Sequence, residues 1–438
     1  MVSAQNDVHI YKSSVSSIKI ELIRKEEQFD KLREEWTKLV EEADIHLFQT
    51  YEWQRNWWKY FGQPGKLHIL IFKEDEEVIA IAPLFVDTIQ WHGILNYREL
   101  RLIGSHCRSY LKCKILPRYS ASDYLDFIIC PGRENEIAYS FTQYLGMEEN
   151  KWNELVFTDV PEKSFIKKYL VSNLGSGDKY LIREHKSAVC PAIEIQGNWK
   201  SYIDQLSKKN RRIYLRAQKT TEKNGKYELT DVDTPREIEE SFRQFVLLHE
   251  QRWNSIGYPG VFDDWRFFHF LQEMTKEFYN RRWLKFKVAK DPDGNILAVD
   301  YAVCFKNRLY SYQKALDCSA PETKFHPGHA LMFAQLRDAY EESMPVFNFL
   351  RGDHAYKYKS ANRVEYNWNI HIVNKKSFGV VEKPLLNGLK ALIRVVNGFA
   401  LEYKILGILK DQYGYTQIIS QYSHFLLDRY HHNRGNDD

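Results

Sequence analysis

The spacing of apolar residues along this chain switches repeatedly between two periods, and each switch predicts a change of element. Residues 17–23 alternate and predict a strand, whereas 26–42 and 51–61 repeat at three- and four-residue intervals and predict helices. At Gly65 the helical period gives way to alternation, which predicts strands over 67–72 and 78–87. Strand-like stretches follow near 98–103 and 124–129. Pro131-Gly132 then opens a helix running through Leu145, and 154–159 reads as a further strand.

The second half repeats this order. A strand near 192–195 is followed by helices over 199–224, 235–254 and 264–279, then by strands over 283–289, 296–305 and 308–315. Asp291-Pro292-Asp293-Gly294 supplies the turn between the first two of those strands. Pro327-Gly328 opens a helix to about Ser343, and 346–350 is an apolar strand. CPGRENEIAYSFTQYL before NELVFTD thus parallels HPGHALMFAQLRDAY before VFNFLRGD. The expected fold class is α/β: two tandem, related halves with mixed, mostly antiparallel sheets flanked by helices. Beyond them, Leu385, Leu389, Leu392 and Ile393 belong to a helical C-terminal tail that packs on the domains.

At 438 residues the chain exceeds what one core organises, which predicts domains over 1–185 and 186–375 and the tail over 376–438. Hydrophobic residues make up 44% and aromatics 15%, enough core for both halves and too much for a disordered chain. No run of about 18 apolar residues occurs. The first residues, MVSAQNDVHIYKSS, lack a signal-peptide pattern, so a cytoplasmic chain without a transmembrane segment is expected. Six cysteines stand apart without CxxC pairs or His partners, so neither a metal site nor a disulfide framework is expected. The net charge of +4 does not imply nucleic acid, but 208–226 holds eight basic residues against Glu222 alone. That run either grips phosphates or presents a solvated basic face.

Two places carry candidate chemistry. The helix at Gly328 begins Gly328-His329-Ala330-Leu331, free of acids, so its unpaired N–H groups and partial positive charge suit a phosphate. In the first half the matching turn holds Glu134 and Glu136, whose carboxylates compete with phosphate for the same groups. The second place is FLRGDHAYKYK, where Arg351, Asp353, His354, Lys357 and Lys359 crowd the end of an apolar strand, a common place for ligands in α/β sheets.

FQTYEWQRNWWKYFG, LSKKNRRIYLRAQKTTEKNG and HPGHALMFAQL with VFNFLRGDHAYKYK together resemble the cellulose-biosynthesis CelD-like acetyltransferase family of GNAT proteins, which is related to the Fem-type peptidyltransferases. The resemblance spans residues 48–368, and RGDxxYK is its most specific part. It implies two tandem GNAT-like domains, the first degenerate, with acyl-CoA as donor and an amine such as an amino sugar or amino acid as acceptor. It also implies that Pro327, Gly328, His329, Ala330 and Leu331 hold the cofactor pyrophosphate. Tyr356-Lys357 takes the place of an aromatic-Lys motif that supports developing negative charge. The chain departs from the GNAT pattern Arg/Gln-x-x-Gly-x-Gly/Ala in having one glycine there.

Amide formation requires an amine to attack a thioester, lose a proton, and have the tetrahedral oxyanion stabilised. Lys357, or a backbone N–H of 308–315, is the candidate oxyanion donor. Asp353 is the candidate base or amine-orienting group, with Asp300 in AVDYAVCF the alternative base or else a paired strand carboxylate. Arg351, Tyr356, Tyr312 and Gln313 are candidate substrate contacts. Trp53, Trp57 and Trp58 form a core stripe, while Tyr51, Glu52 and Arg55 on the same helix are candidates to line an acceptor cleft between the halves. Rival readings are an aminoacyl-tRNA-dependent transferase of Fem type and a non-catalytic GNAT scaffold.

Overall fold

The computed structural model describes residues 9–12, 17–91, 95–105, 121–147, 152–222, 226–257 and 260–375. The expected tail over 376–438 lies outside them, as do Cys107 and Cys113. The first half begins with strands β1 (His9–Lys12) and β2 (Lys19–Ile23) and helices α1 (Glu26–Lys31), α2 (Arg33–Glu42) and α3 (Tyr51–Phe61). Strands β3 (Ile69–Glu74), β4 (Glu77–Ala82), β5 (Leu84–Trp91), β6 (Leu95–Leu102) and β7 (Ile128–Ile129) follow. Helix α4 (Glu134–Met147), strand β8 (Glu154–Pro161), the short α5 (Val171–Leu174) and the long β9 (Tyr180–Glu194) complete it.

The second half runs through α6 (Trp199–Gln205), α7 (Lys208–Glu222), β10 (Glu228–Asp231), α8 (Pro235–Ser255) and α9 (Trp265–Asn280). Then come β11 (Leu284–Lys290), β12 (Ile296–Phe305), β13 (Arg308–Leu316), α10 (Pro327–Glu341), β14 (Val346–Asn348), α11 (Ala355–Ser360) and β15 (Arg363–Asn374). Helix starts follow capping chemistry. Thr50 accepts from the Trp53 N–H, Asp264 accepts from Arg266 N–H, and Thr234 forms a capping box with Glu237 behind Pro235.

Three expected elements are divided. The helix over 26–42 breaks at Leu32, and that over 199–224 breaks at Leu206, whose ψ of 143° is extended. The strand over 78–87 is interrupted at Pro83, which has no N–H for a ladder, and its two parts enter different sheets. β4 lies in a five-stranded sheet of order β1-β2-β3-β4-β7, and β5 ends a ten-stranded sheet of order β10-β11-β12-β13-β14-β9-β15-β8-β6-β5. After β6 the Ile103 N–H donates to the Pro83 carbonyl at 2.8 Å, and 121–127 are the described part of an insert that precedes β7.

The pairings of the two halves match. β5 and β6 are antiparallel and β6 runs parallel to β8 across α4; β12 and β13 are antiparallel and β13 runs parallel to β14 across α10. The last strands are exchanged: β9, from the first half, pairs with β14, while β15, from the second, pairs with β8. β9 and β15 pair with each other over twelve registered positions, which knits the halves into one sheet. The expected division at 185/186 falls inside β9. The repeat differs in one detail. Pro131-Gly132 forms a turn ahead of α4, with Gly132 at φ +86°, whereas Pro327-Gly328 are the first residues of α10 itself.

Candidate active site

Parallel pairing of β13 with β14 covers only Arg308 to Tyr310 against Val346 to Asn348. Beyond it the strands part. Phe349 N–H turns away to the Pro191 carbonyl, at 3.0 Å, while β13 continues to Leu316 along β12. Among the described residues no strand pairs with the other edge of 311–316, so alternate backbone N–H groups there face an opening. A bulge re-aims this stretch: Ala302 faces Ser311 and Tyr301 faces Gln313, leaving Tyr312 unmatched.

The start of α10 lies at this opening. His326 precedes it in the left-handed conformation, φ 61°, with no side-chain cap and no acid in the first turn. Pro327, Ala330 and Leu331 are buried, and Gly328 has room: an added Cβ would meet only Leu316 Cδ1 at 3.8 Å. The His329 ring approaches His326 at 5.7 Å and Tyr356, from α11, at 6.5 Å. Burial, with His326, Lys314 and Lys359, holds the His329 imidazole below its ordinary pKa.

Asp300 is 1% exposed at the centre of β12. Its Oδ2 accepts from Lys314 Nζ at 2.7 Å, the directly opposed residue on β13, and its Oδ1 has no partner. The charges of Lys314, Asp300 and Arg252 all act on the Tyr356 phenol, whose pKa is raised chiefly by burial. Asp300, Lys314, Tyr356 and His329 thus gather beside the opening. Asp353 is exposed before α11 and is hydrogen-bonded by Tyr358.

Lys357 is engaged differently from the expected oxyanion donor. Its buried ammonium donates to the carbonyls of Phe349, Leu350 and Arg351 at 2.8, 3.2 and 2.6 Å, and so ties down the turn in which Leu350 takes φ 56°. All three donors of an ammonium are therefore in use. Lys357→Met is expected to lower unfolding stability by roughly 2–3 kcal/mol, since buried carbonyls lose their donors. Burial also lowers this amine from 10.5 to about 8. The unfolded chain holds the proton more tightly, so stability should rise with pH between those values in the wild type and not in Lys357→Met, as denaturant unfolding would report.

Arg351 does not pair with Asp353. Its Nε donates to Asp123 Oδ1 at 2.7 Å, and its Nη2 reaches the Ser122 carbonyl and, at 3.2 Å, Asp159 Oδ2. Asn367 donates to the same Asp123 oxygen at 2.7 Å. Burial pushes the Asp123 carboxyl above its ordinary pKa, and Arg351 pulls against that. Tyr124 hydroxyl joins Asn348, and Tyr310 hydroxyl meets His46 Nδ1 at 3.0 Å; burial takes that imidazole down to about 3, so it is neutral. Residues 121–124 of the insert therefore lie along one side of the β13–β14 opening.

The candidates on α3 are not brought there. Tyr51 packs on Phe29 and Trp36, Glu52 pairs with Arg281, and Arg55 pairs with Asp30 at 2.6 Å. It is Trp53, read as core, that reaches the insert and β13, donating to Ser122 Oγ at 2.8 Å and meeting Tyr312 edge-on at 5.6 Å. Tyr312 hydroxyl donates to the Ala121 carbonyl at 2.9 Å, so it forms a wall between the halves, and Gln313 is half-buried. Asp123, Asp159, His46 and Trp53 were not singled out as site residues. The signal available was a pair of acids, Asp123 and Asp126, inside the otherwise apolar run ASDYLDFII.

Residues 208–358 match the family described as Acetyltransferase (GNAT) domain. The match lies within the second half, which carries such a domain, and the first half repeats the strand pairings of that domain. Among solved structures the chain is similar to FemX, with 12% identity, a TM-score of 0.56, and coverage of 80% of this chain and 98% of that one. It is also similar to L-PGS from Bacillus licheniformis, at 12% identity and TM-score 0.45 over 84% and 96% of the chains. A tandem GNAT protein from the clavulanic acid biosynthesis pathway aligns at 10% identity and TM-score 0.41 over 80% and 98%. At these identities the FemX likeness is one of fold. No curated protein matches the sequence significantly.

Proposed function

We propose that the protein transfers an acyl group from acyl-CoA to the amine of an amino sugar or amino acid in polysaccharide or cell-envelope synthesis, in keeping with the CelD-like resemblance. The observation that carries this reading is the parting of β13 from β14 beneath the acid-free start of α10. An extended pantetheine arm fits along the unpaired edge of 311–316, with its phosphate at the first turn of α10, where Gly328 offers its N–H. The catalytic unit is 186–375. The first half, whose α4 begins with Glu134 and Glu136, supplies the insert that shapes the cleft and holds no donor of its own. Such a donor places the protein in the cytoplasm. Among the described residues no helix is long and apolar enough to cross a membrane.

Backbone N–H groups of β13 are the better oxyanion donors, because Lys357 is committed to three carbonyls. Asp300 takes the amine proton as the thiolate of CoA leaves, since its Oδ1 is unpartnered beside the opening. Asp353, exposed, suits orientation of the incoming amine. The test is thiol release from acetyl-CoA and longer acyl-CoAs in the presence of amino sugars and amino acids. Acceptor-dependent release supports the reading. Release with none of these acceptors, alongside acyl transfer from an aminoacyl-tRNA, would replace it with the Fem-type alternative.

A further inference from the structure

An acyl-CoA donor does not account for the whole basic face of α7. Lys209, Arg212, Arg216 and Lys219 recur at intervals of three and four, so they share one face, and all are exposed. The opposite face is turned inward. Tyr214 meets Phe333 edge-on at 5.2 Å, and Ala217 joins Ala330 and Leu331 in a small core. Just past the helix, Tyr227 hydroxyl donates to the Phe325 carbonyl at 3.2 Å. The C-terminal end of the basic face therefore arrives beside the start of α10. At about 1.5 Å per residue the face from Lys209 to Lys219 extends for roughly 15 Å. Phosphates seated at α10 reach only its near end.

The seat at α10 is itself small. Pro327 has no N–H, and the N–H groups of His329 and Ala330 both go to the His326 carbonyl, at 3.0 and 3.1 Å. Gly328 is left to offer its N–H, which suits a single phosphate better than a pyrophosphate. Leu215, 50% exposed, stands among the charged positions, and Tyr214 is turned away from solvent, so the face offers an apolar contact and no stacking platform for bases. We propose that α7 docks an acidic helical carrier protein, which delivers the acyl thioester on a phosphopantetheine arm with its phosphate at Gly328. The inference rests on the donor site proposed above. Acyl-CoA shares that arm and binds as the arm without the carrier.

The test measures binding of two probes to the intact protein: an acidic acyl carrier protein bearing acetyl-phosphopantetheine, and acetyl-CoA. The variant is Lys209→Glu with Arg212→Glu, both exposed and remote from Gly328, with circular dichroism confirming the fold. The double variant should weaken carrier binding by about ten-fold or more and leave acetyl-CoA affinity within about two-fold. Acetyl-CoA binding without any carrier binding to the wild type would overturn the inference and leave the donor site standing. Equal loss of both probes, or α7-dependent binding of a tRNA transcript in place of the carrier, would also overturn it. Failure of both probes on the wild type would remove the donor site and this inference together.

Discussion

Asp300→Asn is expected to lower the acyl-transfer rate by about 100-fold while leaving acyl-CoA affinity within about two-fold. The side chain keeps its size and an oxygen for Lys314, so the packing of β12 against β13 is retained. What is lost is a carboxylate whose Oδ1 is buried without a partner next to the parted strands. A base acts on the attacking amine and not on the resting thioester, so its removal appears in kcat. A merely structural role for the Asp300–Lys314 pair predicts instead a fall in stability with kcat preserved. Steady-state kinetics with varied acyl-CoA, together with thermal unfolding, separates the two.

Asp123→Ala is expected to destabilise the protein by about 3 kcal/mol, because it leaves the Arg351 guanidinium and the Asn367 amide without their shared acceptor. Arg351 retains Asp159 and is a quarter exposed, which keeps the cost below that of a fully stranded charge. The loss lands on the joint between the halves, since Asp123 belongs to the insert and Arg351 to the turn after β14. Denaturant unfolding of the variant should show an earlier midpoint. Unchanged stability would mean that this network is not what holds the insert against the second half.

Much of the fold was legible because local rules act within short windows. The helices over 235–254 and 264–279 carried their own caps, and the strands over 296–305 and 308–315 their own alternation. Legibility failed where a partner distant in sequence decides the outcome. The sequence pattern predicts strand for only three residues of the fifteen in β9, and for none of β15. Both are polar along much of their length, and each is held by the other and by a strand exchanged from the opposite half. The divided strand at Pro83 had its signal in the proline, but the change of sheet had none.

The site shows the same limit. Acid-free residues after Pro327 and the crowd around Arg351 were visible as a pattern. That Lys357 is bound by three carbonyls, and that Arg351 is gripped from the first half by Asp123 and Asp159, depends on where a distant insert settles.

The central claim is that the donor binds where β13 parts from β14, at the start of α10. Its most direct test is isothermal titration of the intact protein with acetyl-CoA, beside Gly328→Glu and Asn135→Glu, which place a carboxylate in the first turns of α10 and α4 respectively. An added Cβ at Gly328 meets only Leu316 Cδ1, at 3.8 Å, and its φ is not left-handed, so the fold should survive while the new charge repels phosphate. Binding by the wild type, lost by about ten-fold or more in Gly328→Glu and kept in Asn135→Glu, is the result predicted here. Equal binding by all three proteins, or loss in Asn135→Glu alone, would contradict a donor site in the second half.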